Sequence, residues 1–345
     1  MDKELAPAAD AGPIFIIGSP RSGTSILARS LAAHSQLWTS GESYILFDLY
    51  GAGRVEAAFE RARVLSRGSW FDDQKVTKSE FLRCLGLGVQ ALFDSRTGGR
   101  RWVDHTPHYV LMADTLAEMF PAARFVHILR DGRRVVHSMV HFGARLQREA
   151  PSGTEPFVPP WAKDFTVACG TWTTYVEAAM DFCKRNPERA ITVVNEELVA
   201  DTEESFRALF RFIKVPFEKG TVSCFRTHRI NSSFQVDSGD LKLVRALSSP
   251  WLEWSDEHKQ IFARAAGSCM VEHGLAREED LVTAMPAAAA GEVPARLVVE
   301  EKRLADDTPG DQAEVRQSLE SDRQENGTGS LEAPEGPLPT TITAP

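Results

Sequence analysis

Ile14-Phe15-Ile16-Ile17 runs without a break into Gly18-Ser19-Pro20-Arg21-Ser22-Gly23-Thr24-Ser25. Four apolar residues ending at a glycine suit a buried parallel strand, which is covered on both faces and so lacks polar alternation. From Ser25 to Ala33 the pattern turns helical. Strand, glycine loop and helix in that order gather consecutive backbone N–H groups at a helix N-terminus, where they favour an anion. Hydroxyls and the Arg21 guanidinium add further donors. The alternative is a plain Gly-Ser turn, but strand, loop, arginine, hydroxyls and helix all occur together here.

Outward from this stretch, strands and helices alternate. Arg124-Phe125-Val126-His127-Ile128-Leu129 is a second buried strand, followed by a helix over Arg133–Phe142. Asp164–Lys184 forms a long helix with Trp172, Val176, Ala179 and Cys183 on one face, and Ala190–Val194 is a third strand. Asp201, with Glu204 three residues on, caps a helix whose apolar stripe is Phe206, Leu209, Phe210 and Ile213. This order predicts an α/β fold of three layers, a parallel sheet flanked by helices, with ligands at the carboxyl ends of the strands.

The glycine loop is spaced like a nucleoside-triphosphatase P-loop, G-x-x-x-x-G-K-[ST], but Thr24 stands where the lysine should be. A phosphotransferase or NTPase is therefore the weaker alternative, because the group that holds the β/γ-phosphates is missing. Arg21 suits a single terminal phosphate or sulfate instead. A second anion site is suggested by Arg130, at the end of the second strand, and Ser138, about two turns into the next helix. Two separated sites imply a ligand with two separated anionic groups.

Pro20-Arg21-Ser22-Gly23-Thr24-Ser25 resembles the 5′-phosphosulfate loop of sulfotransferases, and Arg130 with Ser138 resembles their 3′-phosphate pair. The resemblance runs from about Ile14 to Leu275. It takes in Phe120-Pro-Ala-Ala-Arg-Phe125, Glu196-Glu-Leu-Val-Ala-Asp201 and Val215-Pro-Phe217. The runs around Gly41-Glu42 and His137-Ser138-Met139 look closest to tyrosylprotein sulfotransferases and related bacterial enzymes. The resemblance implies a P-loop-like sulfotransferase fold. It implies direct in-line transfer of a sulfuryl group from 3′-phosphoadenosine 5′-phosphosulfate (PAPS), without a metal, to a hydroxyl or amine. The acceptor is a small molecule, saccharide or peptide. A relative that binds the nucleotide without catalysis stays open as an alternative.

The resemblance also makes Glu42 the general base, against a plain reading as a surface residue or cap of a helix over Ser43–Leu49. Relatives commonly carry a lysine where His105 falls. Histidine is charged only below its pKa, about 6.5 when unperturbed, so charge stabilisation, acid–base work or acceptor shaping all stay open for it. The expected catalytic set is Glu42, His105 and Arg21. The expected donor-binding set is Arg21, Ser22, Gly23, Thr24, Ser25, Arg130 and Ser138, with Ser232 (beside Ser233) and Lys242 in a loop closing over the nucleotide. His108 and His141 are weaker candidates. Asn195 stands where many relatives have tyrosine, so adenine stacking is not expected of it. Trp251 and Trp254 are expected in the core. The long connection Glu149–Pro160 is expected to form part of the acceptor pocket.

Composition bounds the rest. The 345 residues suit one large α/β body, expected over residues 13–283, and an acidic tail over 284–345 rich in Pro, Gly and Ser. That tail holds 12 acidic and 5 basic residues, −7 of the net charge of −9, and it is too polar to offset its ordering entropy. A disordered tail is expected, with a short helix near Leu297–Ala305. The nearly neutral body gives no support for nucleic-acid binding. The five scattered cysteines, without a C-x-x-C, read as reduced and mostly buried. An acidic, polar N-terminus without an apolar core and the lack of a long apolar run predict a cytoplasmic protein without a transmembrane segment. A homodimer is left open.

Overall fold

The computed structural model describes residues 12–65, 70–151, 153–227 and 250–282. Five strands, β1 (Ile14–Ile17), β2 (Leu37–Trp38), β3 (Arg101–Asp104), β4 (Arg124–Leu129) and β5 (Ala190–Val194), form one parallel sheet in the order β2-β3-β1-β4-β5. The chain leaves β1 to build β2 and β3 on one side, then crosses to add β4 and β5 on the other. The order therefore reverses at β1, the place where open parallel sheets leave a crevice at their carboxyl ends.

Side-chain alternation divides the core. Phe15 and Ile17 face a cluster built with Leu82, Trp102, Leu116, Phe125 and Phe182. Ile14 and Ile16 face the opposite layer, with Leu27, Leu31, Val126, Leu209 and Ile213. All four residues of β1 are fully buried. Phe15 meets Trp102 edge-on at 5.5 Å and stacks on Phe125 at 5.4 Å, so the middle strand is fixed by aromatic packing. A third cluster joins Leu129, Val135 and Met139 to Trp172, Trp254, Phe262 and Met270. Trp254 is buried and Trp251 packs against it, as expected.

The three expected strands have the predicted bounds, and the helices Thr24–Ala32 and Phe165–Arg185 differ from expectation by one residue at each end. The Asp201 side chain accepts from the Glu204 N–H and caps the Thr202–Ile213 helix, with the predicted stripe buried. β2 and β3 are additional. β2 has only two residues, and β3 carries a charge at each end, so neither shows a strand pattern of useful length. The helix after β4 runs Gly132–Glu149, about two turns beyond the expected end at Phe142. Gly143 permits this by close approach: a Cβ there would lie 2.0 Å from the Ala162 carbonyl oxygen of the crossing Pro160–Lys163 helix.

All five cysteines are free; Cys169 and Cys269 are buried, whereas Cys84 is exposed. Among the described residues no helix is long and apolar enough to cross a membrane. The expected tail and its short helix lie outside the described residues.

Candidate functional site

The carboxyl ends of β3, β1 and β4, neighbours in the sheet, carry His105, the glycine loop and Arg130. The loop's path is set by backbone that side chains disfavour. Gly18 has φ 150°, and a Cβ there would lie 2.8 Å from the Ile128 carbonyl oxygen. Arg21 has φ 68° and Gly23 φ 108°. A left-handed non-glycine residue costs about 1–2 kcal/mol, so surrounding contacts must hold Arg21. The Ser22 N–H donates to the Ser19 carbonyl at 3.2 Å, and Ser22 and Thr24 are buried. No side chain caps the Thr24–Ala32 helix, which leaves its first N–H groups for an incoming anion.

Arg21 is the point at which the two expected anion sites meet. Its Nε donates to Ser138 Oγ at 3.3 Å, and its guanidinium lies 4.6 Å above the Phe142 ring. Arg130 Nη1 donates to the Arg21 carbonyl at 3.0 Å. Trp172 Nε1 donates in turn to the Arg130 carbonyl at 3.2 Å, and a Cβ on Gly132 would lie 2.9 Å from the same indole. Arg21, Arg130 and Ser138 thus form one continuous polar assembly seated on core aromatics.

Asn195, just past β5, donates from Nδ2 to the Ser22 carbonyl at 3.2 Å, and a Cβ on Gly23 would lie 2.7 Å from that nitrogen. Holding the Ser22 carbonyl outward points the Gly23 N–H the opposite way, because the two groups are antiparallel across a planar peptide. Asn195 is a strap on the loop.

Glu42 sits on a turn between β2 and the Ile45–Tyr50 helix, which begins two residues later than Ser43. Gly41 has φ 97° and Tyr44 φ 54°. The Tyr44 hydroxyl donates to Glu42 Oε2 at 3.1 Å, and Glu42 Oε1 lies 3.9 Å from His105 Nε2. His105 is only 6% exposed, and burial pushes its imidazole down to about 4. It is neutral near pH 7, so its contact with Glu42 is not an ion pair. His105 Nδ1 has no hydrogen-bond partner among the described residues.

Beside this pair, burial raises the Asp104 carboxyl, opposed by hydrogen bonds from Ser43, Thr106 and Tyr109. His108 is pushed down to about 4 by burial, and its ring lies 5.5 Å from Tyr44 and 5.0 Å from Phe47. His141 is on the Gly132–Glu149 helix, where its ring lies 4.0 Å from His137 and Nδ1 lies 2.8 Å from the His137 carbonyl. The Glu149–Pro160 connection reaches the site through Val158, which is buried against Phe142, the residue beneath Arg21. Ser232, Ser233 and Lys242 lie outside the described residues.

Sequence reasoning missed the supporting residues: Asn195 as a strap, Trp172 and Phe142 as platforms, and Asp104 with Ser43 and Tyr109. Only Asp104 had a readable signal, since Asp-x-Thr favours a local side-chain turn.

A family model described as "Sulfotransferase family" matches residues 13–219. A putative protein-tyrosine sulfotransferase of Caenorhabditis briggsae is 22% identical over 209 residues, 60% of this chain and 66% of that one. Protein-tyrosine sulfotransferase 1 of Danio rerio is 23% identical over 205 residues, 59% of this chain and 53% of that one. The chain therefore spans less than two thirds of the length of these curated relatives. Among solved structures, the sulfotransferase domain from the curacin biosynthetic pathway aligns over 66% of this chain and 81% of its own, with 22% identity and a TM-score of 0.43.

Proposed function

The chain belongs to the sulfotransferase family, and from that premise we propose that it transfers a sulfuryl group from PAPS to an acceptor hydroxyl or amine. The observation that carries the reading is the assembly of an uncapped helix N-terminus with Arg21, Ser138 and Arg130 at the strand crossover. Backbone N–H groups from Gly23 onward and the hydroxyls of Ser22, Thr24 and Ser25 would receive the 5′-phosphosulfate. Arg130 and Ser138 would receive the 3′-phosphate, and Arg21 would reach both. Thr24, in place of a lysine, makes a magnesium triphosphate the poorer occupant.

The step is an in-line displacement. The acceptor oxygen or nitrogen attacks sulfur as the bond from sulfur to the 5′-phosphate oxygen breaks, and 3′-phosphoadenosine 5′-phosphate (PAP) leaves with the electron pair. Glu42 accepts the acceptor's proton. Neutral His105 acts by hydrogen bonding rather than by charge, which separates it from the lysine common among relatives. Positioning and electrostatic stabilisation supply most of such a barrier reduction. Two relatives are named as protein-tyrosine sulfotransferases, so a tyrosine-containing peptide is the first acceptor to try, followed by saccharide and small-molecule hydroxyls. The Glu149–Pro160 connection forms part of the acceptor pocket.

Incubating the protein with sulfur-labelled PAPS and an acceptor library tests the reading directly. Label should pass to an acceptor, and PAP should accumulate in equal amount. PAP binding without transfer to any acceptor would leave a nucleotide-binding relative, and ATP hydrolysis with magnesium would favour the phosphotransferase alternative.

A further inference from the structure

Asp104 is the last residue of β3, and it is 1% exposed. A carboxylate so placed needs donors from the protein, and four reach it. Thr106 gives its N–H to Oδ1 at 3.0 Å and its hydroxyl to the same oxygen at 2.8 Å. Tyr109 gives its hydroxyl to Oδ2 at 3.3 Å. These three come from β3's own exit. The fourth comes from another part of the chain: Ser43 Oγ donates to Oδ2 at 2.6 Å and lies 2.9 Å from the Tyr109 hydroxyl. The Thr106 hydroxyl also accepts from the Tyr44 N–H, at 3.3 Å.

The placement of these bonds is what gives them meaning. Ser43 and Tyr44 are the two residues after Glu42, whereas Asp104 and Thr106 flank His105. One buried carboxylate therefore fastens the backbone beside Glu42 to the backbone beside His105. The Glu42 turn has left-handed residues on both sides, Gly41 and Tyr44, and follows a strand of only two residues. Within the turn the Tyr44 hydroxyl donates to Glu42 and the Gly41 N–H to Thr39 Oγ1, and the tie to Asp104 anchors the whole turn to the end of β3.

We propose that Asp104 is a positioning residue for the transfer reaction, holding Glu42 against His105 through Ser43 and the Thr106 hydroxyl. The inference rests on the assignment of Glu42 and His105 to the transfer step. Ser43→Ala tests it on the full chain by removing the direct bond to Asp104 while leaving Asp104 three donors and the Tyr44 N–H its bond to the Thr106 hydroxyl. We expect kcat to fall about 10- to 100-fold, with the dissociation constant for PAP unchanged within about twofold, since Arg21, Ser138 and Arg130 are untouched. Ser43→Thr, which keeps the hydroxyl, should recover most of the rate. Asp104→Asn should lose at least as much as Ser43→Ala; if it does not fold, the serine pair decides.

A second readout needs no turnover. The His105 imidazole, followed by NMR titration, should stay neutral to about pH 4 in the parent protein. In Ser43→Ala it should titrate closer to 6.5, because loosening the turn admits water. An unchanged His105 titration in folded Ser43→Ala would overturn the inference, as would a full kcat in that variant. Lack of transfer by the parent protein would instead sink the functional reading and leave the NMR comparison to judge the tie.

Discussion

Arg21 and Glu42 both lie beyond the carboxyl ends of strands, yet they are held by different means. Around Arg21 the loop is continuous with β1, the buried middle strand, and it is met by the Ser138 hydroxyl, the Arg130 guanidinium and the Phe142 ring, all from the adjoining β4–helix unit. Around Glu42 the turn follows a two-residue strand and is fixed by side-chain hydrogen bonds to a residue far away in the chain. The Arg21 loop inherits its geometry from the sheet, whereas Glu42, the proposed base, is placed by a separate fastening. Changes near Glu42 should therefore alter turnover and leave nucleotide binding alone, and changes near Arg21 should fall mainly on nucleotide binding.

The largest effect that tests this division is at the base. Glu42→Ala should lower transfer about 10²- to 10⁴-fold while PAP binds as before by calorimetry. A parallel loss of PAP affinity would erase the distinction. Arg21→Ala comes next: losing charge-assisted hydrogen bonds of about 1.5–3 kcal/mol should weaken PAP binding about 10- to 100-fold. The rate at saturating donor should fall less than in Glu42→Ala.

Acid should destabilise both regions. Burial holds His105 and His108 down to about 4, and it holds His127, with His273 nearby, down to about 3. All three lie below the unfolded value of about 6.5. The unfolded chain then binds more protons, so the stabilisation from keeping these rings neutral is complete above pH 6.5. It is lost as pH falls from 6.5 toward 4, at about 1.4 kcal/mol per pH unit for each ring. Urea unfolding across that window should show His108→Gln and His127→Gln each removing about one proton from the slope. The smallest effect is at the strap. Asn195→Ala gives up one hydrogen bond of about 0.5–1.5 kcal/mol and should weaken PAP binding by up to about tenfold, with kcat at saturating donor unchanged.

The same division governs what could be read from the sequence. Ile14 to Ser25 is contiguous, so strand, loop and helix were legible together, and Arg130 and Ser138 followed from the next strand–helix unit. Asp201 was readable as a cap because its partner is only three residues away. β2 was not, since two residues carry no period, and its existence depends on pairing with β3. The tie from Ser43 to Asp104 joins two stretches that only the sheet order brings together. Asn195 was legible only as a missing aromatic. Its role as a strap depends on how β5 lies against β4, with Leu129 opposite Val194.

Trp172 belongs to two systems at once. Its ring is part of the third core cluster, with Val136, Phe262 and Ala266, and its N–H fixes the Arg130 carbonyl. Heat that loosens this cluster should therefore also loosen Arg130 in the proposed nucleotide site, and affinity for PAP should decline with it. The coupling also works in reverse: a nucleotide that binds the folded chain and not the unfolded one raises the melting temperature. Part of that thermal protection should pass through the indole to the Asp256–Glu272 helix, which carries Phe262 and Ala266.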